Sequence, residues 1–134
     1  MRTIEDLKWR YATKKFDATK KVSNEDLDKL KEAIQLTATS YGLQLFKVLI
    51  IENPGIRNLL KPASWGQSQV TDASHLMVFC NFSEVTEEHL NHFAAIKSKA
   101  NGIPLEELGG YVGFILSKLA ELNADQIDNW TAKQ

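Results

Sequence analysis

Three cations lie within six positions near the N-terminus, in the segment RYATKKFD at residues 10–17: Arg10, Lys14 and Lys15. An arginine presents a planar fork of N–H donors that matches two phosphate oxygens, and a lysine adds a compact positive charge. Arg10 and Lys14 are four residues apart, so they share a face if the preceding helix continues through the segment. The pattern indicates either a site for a phosphate-bearing ligand or a solvent-exposed helix end, which is the more frequent meaning of a charge run.

A second candidate is the segment TATSYGLQ, residues 37–44. Thr39 and Ser40 offer hydroxyl groups, and Gly42 lets the backbone approach a ligand closely. The same residues are also typical of an ordinary turn between a helix and a strand, and the pattern alone favours the turn.

The third candidate is SWGQSQ, residues 64–69, which places Gln67 and Gln69 close to Trp65. A glutamine amide both donates and accepts hydrogen bonds, so a pair of them suits the edge of a heterocycle such as a flavin or a base. A polar surface loop is the competing interpretation.

Other reactive side chains give weaker signals. His89 and His92 are three residues apart on a predicted helix, but a metal site needs three or four ligands, so we predict no metal site. Cys80 lies in an apolar strand and is expected to be unreactive. No arrangement of a nucleophile, a base and an orienting group stands out, so we assign no catalytic side chain.

The elements that must position these residues alternate between helices and strands. Ser23 and Asn123 are typical N-caps, and Thr3 and Thr86 can cap two further helices. The strand at 75–82 is apolar nearly throughout, which predicts burial on both faces, and the polar stretch 62–74 is predicted as a loop. Helices are predicted at 3–9, 24–37, 53–61, 86–100, 104–122 and 123–134, and strands at 45–52 and 75–82.

Two strands among helices indicate an α+β fold. Because two strands alone form a poor sheet, we expect residues outside this sequence or another chain to complete it. The 134 residues are 43% hydrophobic with a net charge of -1, which predicts one domain over 1–134 and no general attraction to nucleic acid. A single cysteine and the lack of a long apolar stretch favour a cytoplasmic protein with no membrane partner.

Taken in order, RYATKKFD, TSYGLQ, FKVLIIE, SWGQSQVTDASHLMVFC and WTAKQ resemble the nitroreductase family of FMN-dependent NAD(P)H oxidoreductases. The resemblance implies a nitroreductase-like α+β fold with a small, mostly antiparallel central sheet flanked by helices. It also implies a homodimer with shared flavin sites. Family members continue well beyond WTAKQ, so we expect that a C-terminal part of the family fold is absent here.

The resemblance assigns several residues to the FMN site. Arg10 and Lys14 would contact the phosphate and the flavin ring, while Tyr11 and Ala12 would line the cofactor through the backbone. Gln69 would bind the isoalloxazine edge, assisted by Gln67. The loop at 38–42 would reach a flavin held mainly by the other subunit. The full set is Arg10, Tyr11, Ala12, Lys14, Ala38, Thr39, Ser40, Gly42, Gln67 and Gln69.

The implied reaction transfers electrons from NADH or NADPH through FMN to a small nitroaromatic or quinone acceptor by a ping-pong mechanism. The cofactor supplies the redox chemistry, which agrees with the missing catalytic triad. One alternative is a non-catalytic fragment that folds as an oligomer with weak or no FMN binding. Another, based on the basic cluster alone, is an anion- or nucleotide-binding module unrelated to redox chemistry.

Overall fold

The computed structural model describes residues 2–133 and has an α+β fold. The chain divides into two compact units. The first contains the residues up to Ile34 together with Leu49–Val78, and the second contains Gln35–Val48 together with the residues from Phe79 onward. No helix within residues 2–133 is long and apolar enough to cross a membrane.

The two strands form a small antiparallel sheet, as predicted. Strand β1 is Phe46–Ile51 and strand β2 is Leu76–Asn81. Just beyond the paired strands, the Phe82 N–H donates to the Leu45 carbonyl at 3.0 Å. The predicted burial of the second strand on both faces is wrong, because Phe79 is 58% exposed. Within residues 2–133, the face of β2 that carries Phe79 stays open at that residue.

Four helices begin in the first unit. Helix α2 begins after Ser23, whose Oγ accepts from the Asp26 N–H at 3.1 Å, so the predicted cap is confirmed. The predicted cap at Thr3 is wrong, since α1 already includes Arg2. The side chain of Asn53 caps α3 by accepting from the Ile56 N–H. These helices are α1 (Arg2–Trp9), α2 (Asn24–Leu36), α3 (Pro54–Leu60) and α4 (Gln69–Asp72).

The second unit holds the principal apolar core and the helices α5, α6 and α7. Asn123 caps its last helix through a reciprocal pair of hydrogen bonds with Gln126, as the sequence predicts. Leu90 and Ile115 are fully buried, and burying such a side chain stabilises a fold by about 1.5–3 kcal/mol. The helices are α5 (Glu87–Asn101), α6 (Gly109–Leu119) and α7 (Ala124–Thr131).

His89 has a structural role in this unit. Its backbone N–H donates to Thr86 Oγ1 at 3.3 Å, and its Nδ1 accepts from the Thr86 N–H at 3.2 Å. Together these bonds give partners to the backbone N–H groups of Thr86 and His89, which the first turn of α5 leaves without a carbonyl acceptor. The ring also lies 4.9 Å from the Phe82 ring, between centroids.

Candidate functional site

The basic segment begins where α1 ends. The Arg10 N–H donates to the Asp6 carbonyl at 3.0 Å, and the chain from Tyr11 to Phe16 is not helical. The predicted end of this helix at residue 9 is confirmed, so the condition under which Arg10 and Lys14 would share a helix face is not met. The segment offers little buried surface, since the Tyr11 side chain is 74% exposed, and a short helix without packing is marginal in water.

The cations of this segment are accessible. Arg10, Lys14 and Lys15 are exposed, and none of them forms an ion pair with an acid within residues 2–133. Tyr11 and Ala12 are exposed beside them. The segment therefore presents concentrated positive charge that suits an anionic ligand.

Asp17 closes this segment with a tight turn. Its Oδ1 accepts from the Thr19 N–H at 3.0 Å and from the Thr19 hydroxyl at 2.6 Å, and its Oδ2 lies 3.7 Å from Lys20 Nζ. The hydrogen bond from the Thr19 hydroxyl, with smaller contributions from the Thr19 N–H and Lys20, lowers the pKa of Asp17 below its ordinary value. This turn fixes the direction in which the chain leaves the basic segment.

The glutamine segment is also in the first unit, and its predicted loop contains a helix. Residues 62–74 include a short 3₁₀ helix, Pro62–Ser64, and the single turn of α4, so the loop prediction is wrong over Gln69–Asp72. Between them, Trp65 and Gly66 have φ values of 52° and 69°. Because the left-handed region is costly for a tryptophan, this turn stores backbone strain of the kind often found near functional sites.

The two glutamines lie on either side of the start of α4. Gln67 is exposed, and Gln69 is half-buried as the first residue of the helix. Neither side-chain amide has a hydrogen-bond partner in the part of the chain that the structure describes. Both amides can therefore donate to and accept from a ligand.

A buried arginine behind α4 was not predicted from the sequence. Arg57 is 3% exposed, and its guanidinium donates to three backbone carbonyls at the end of α4. The only signal in the sequence is a cation beside Ile56 in a short helix that also contains Leu59 and Leu60.

The loop at 38–42 lies in the second unit and is held in an unusual conformation. Tyr41, Gly42 and Gln44 have φ values of 56°, 73° and 48°. Thr39 Oγ1 accepts from the Gln44 N–H at 3.0 Å, and Gln44 Nε2 donates to the Gln35 carbonyl at 2.5 Å. Two non-glycine residues in the left-handed region indicate a preorganised loop, because its own hydrogen bonds must offset the strain.

Tyr111 supports the loop from α6. Its Oη donates to the Tyr41 carbonyl at 3.1 Å, and the two rings meet edge to face with centroids 6.4 Å apart. Burial, and secondarily the Tyr41 phenol, raises the pKa of the Tyr111 hydroxyl above its ordinary value. The hydroxyl therefore stays protonated at neutral pH and can donate.

The structure distributes the predicted residues between the two units. Arg10, Tyr11, Ala12, Lys14, Gln67 and Gln69 belong to the first unit, and Ala38, Thr39, Ser40 and Gly42 belong to the second. Thr39 is already engaged as an acceptor by the Gln44 N–H, so its hydroxyl has only its proton and one lone pair left for a ligand.

Comparison with known proteins gives consistent matches. The model of the Nitroreductase family matches residues 7–126. The chain is 31% identical over 140 residues to the major NAD(P)H-flavin oxidoreductase of Aliivibrio fischeri, and this match covers 98% of the chain.

Solved structures give the same match in fold. A protein of Exiguobacterium sibiricum in complex with FMN has a TM-score of 0.78 at 20% identity over 96% of the chain. A nitroreductase-like protein of Streptococcus mutans has a TM-score of 0.71 at 18% identity over 90% of the chain. This chain covers 63% of the A. fischeri protein, 61% of the E. sibiricum protein and 58% of the S. mutans protein, less than two thirds of each.

Proposed function

Since this chain belongs to the nitroreductase family, as its sequence motifs indicate, we propose that it is an FMN-dependent oxidoreductase that carries electrons from NAD(P)H to a small organic acceptor. Two of the similar proteins support the proposal. The A. fischeri relative is an NAD(P)H-flavin oxidoreductase, and the E. sibiricum structure contains FMN.

The observation that carries the proposal is the accessible basic segment. Arg10 and Lys14 leave the end of α1 with no acidic partner within residues 2–133. A phosphate monoester needs such charge-assisted donors, and an arginine fork with a nearby ammonium supplies them. These residues fit the phosphate end of FMN.

The glutamine segment fits the other end of the cofactor. The flavin edge alternates carbonyl acceptors with ring nitrogens, and the amides of Gln67 and Gln69 have the complementary donors and acceptors. The strained loop at 38–42 would approach the flavin of the partner subunit, where Ala38, Ser40 and Gly42 leave room for close backbone contact.

When bound, FMN would supply the redox chemistry by accepting a hydride from NAD(P)H and passing electrons to the acceptor. The protein's own residues would bind and orient. Arg10 and Lys14 would hold the phosphate and place positive charge beside it, and Gln69 would fix the ring edge. Where Arg10 or Lys14 also contacts the flavin ring, its charge and the N–H donors of Gln69 would stabilise the negative charge of the reduced cofactor.

The proposal extends to the assembly, the kinetic order and the cell compartment. We expect a homodimer with shared flavin sites, supported by exposed apolar side chains such as Leu7 at 59% and Trp9 at 86%. We expect a ping-pong order with a nitroaromatic or quinone acceptor, in which NAD(P)H leaves before the acceptor binds. A cytoplasmic location follows from the use of NAD(P)H as reductant.

The test is a titration of the purified chain with FMN, in which the quenching of flavin fluorescence reports binding. Arg10→Ala removes a charge-assisted contact worth about 1.5–3 kcal/mol, so we expect its Kd for FMN to rise roughly tenfold to a hundredfold. Lys21→Ala is the matched control, because it removes an exposed cation outside the basic segment. Equal Kd values for all three proteins would overturn the site. Absence of binding by a folded wild-type chain would favour the non-catalytic alternative.

A further inference from the structure

Arg57 is the most unusual charged residue of the first unit. It lies in α3 and is 3% exposed, and no carboxylate pairs with it within residues 2–133. A buried cation without an acidic partner is rare, because its desolvation must be offset by hydrogen bonds. The contacts of Arg57 therefore indicate what this charge does.

All the hydrogen bonds of the guanidinium go to one short piece of backbone. Nε donates to the Val70 carbonyl at 2.6 Å, and Nη1 donates to the Ser74 carbonyl at 3.3 Å. Nη2 donates to the Ala73 carbonyl. One planar group thus fixes three peptide units between Val70 and Ser74.

This piece of backbone is too short to form a stable helix by itself. Helix α4 is a single turn, Gln69–Asp72, in which the Asp72 N–H donates to the Ser68 carbonyl at 2.9 Å and the Ala73 N–H donates to the Gln69 carbonyl at 3.1 Å. A helix of four residues is unstable alone, and its last carbonyls have no partner inside the helix. Arg57 supplies a partner to the Val70 carbonyl inside α4 and also binds the Ala73 and Ser74 carbonyls just after the helix.

The same junction reaches the chain that follows the basic segment. Ser74 Oγ accepts from the Val22 N–H at 2.8 Å, while the Ser74 carbonyl accepts from Arg57. Val22 lies shortly after the turn that Asp17 closes. The two candidate site segments of the first unit are therefore connected through this junction.

We propose that Arg57 is a positioning residue, whose buried guanidinium holds α4 so that Gln69 presents its amide to the flavin edge. The proposal rests on the proposed function, because it needs Gln69 to contact FMN. Arg57 does not itself touch the cofactor. It acts through the Val70 carbonyl, which belongs to the residue directly after Gln69 in the turn of α4.

The geometry requires an arginine. Three carbonyls accept from three different nitrogens of one rigid plane, and a lysine ammonium is a single point that cannot reproduce that spread. Arg57→Lys keeps the charge and leaves at least one carbonyl without its donor. Arg57→Gln removes the charge, keeps an amide donor, and replaces the lysine variant if that variant does not fold.

The experiment combines amide hydrogen exchange of the FMN-free chain with FMN titrations. The variants are Arg57→Lys, Gln69→Ala and the double variant, and Asn58→Ala on the exposed side of α3 is the matched control. We expect Arg57→Lys to speed exchange at residues 70–74 and to raise the Kd for FMN about fivefold to tenfold, the effect of one lost hydrogen bond. When Arg57→Lys is added to Gln69→Ala, we expect the Kd for FMN to stay within about twofold of that of Gln69→Ala alone, because the glutamine amide that Arg57 positions has been removed.

The outcomes distinguish the positioning role of Arg57 from the assignment of Gln69 to the FMN site. Unchanged exchange at 70–74 in Arg57→Lys overturns the positioning role. Faster exchange with an unchanged Kd, while Gln69→Ala weakens binding, also overturns that role and leaves the flavin site intact. An unchanged Kd in Gln69→Ala overturns the site assignment, and the role of Arg57 fails with it. Additive losses in the double variant would show that Arg57 does not act through Gln69.

Discussion

The hydroxyl of Thr131 joins α7 to the end of β2, and its removal tests the packing of the second unit. Thr131 is 2% exposed, and its Oγ1 donates to the Phe82 carbonyl at 2.5 Å and accepts from Asn81 Nδ2 at 3.2 Å. Thr131→Val preserves the shape and deletes the hydroxyl. Asn81 keeps its bond to Asp128, but the Phe82 carbonyl loses its short hydrogen bond and keeps only a 3.5 Å contact from Asn81 Nδ2. Leaving a buried polar group unpaired costs about 1–3 kcal/mol, so we expect a loss of about 2 kcal/mol.

Urea unfolding monitored by circular dichroism measures this loss as a lower midpoint urea concentration, with an unchanged dependence of the unfolding free energy on urea concentration. Thr131→Ser is the matched control, because it keeps the hydroxyl and removes a methyl group worth about 1 kcal/mol. We therefore expect the valine variant to be the less stable of the two. A valine variant as stable as the wild type, or more stable than the serine variant, would refute the reasoning.

Three further changes test the turns and the loop. Tyr111→Phe removes the donor to the Tyr41 carbonyl, so we expect a loss of about 0.5–1.5 kcal/mol and faster amide exchange around residue 41; unchanged exchange would contradict the anchor. The pKa of Asp17 is lowered, so its contribution to stability is present above its unfolded pKa and is lost as the pH falls through the folded value. NMR titration should show the pKa of Asp17 rising toward its ordinary value in Thr19→Ala, and an unmoved midpoint would contradict the assigned cause. Gly42→Ala should cost about 1 kcal/mol in chemical unfolding, because φ is 73° while the nearest side-chain atom to a new Cβ is an ordinary 3.8 Å away; a neutral result would show that the loop relaxes.

The features that the sequence predicts well are local. Ser23 and Asn123 were identified as caps because a capping side chain and its partner lie within three residues of each other. The strands were found to within a residue at each end, since short β-branched and aromatic runs stand out from their neighbours. The assignment of the basic and glutamine segments to an FMN site rests on residue type and on the family resemblance, and it stays a prediction.

The features that the sequence did not predict depend on distant contacts. Helix α4 has one turn, too short for any periodicity, and the carbonyls at its end are held by Arg57 from another helix. The spacing of Arg10 and Lys14 left open whether α1 continues through Lys14, because spacing cannot show that the segment lacks a surface to pack against. The strain at Tyr41 depends on Tyr111, seventy residues away along the chain.

The most direct test of the central claim is a visible absorption spectrum of the purified chain after incubation with FMN and desalting, recorded without oxygen before and after NAD(P)H is added. We predict a flavin band that stays with the protein and is bleached by NAD(P)H, then restored by a quinone. A folded chain that retains no flavin, or a retained flavin that NAD(P)H does not reduce, would contradict the proposed function.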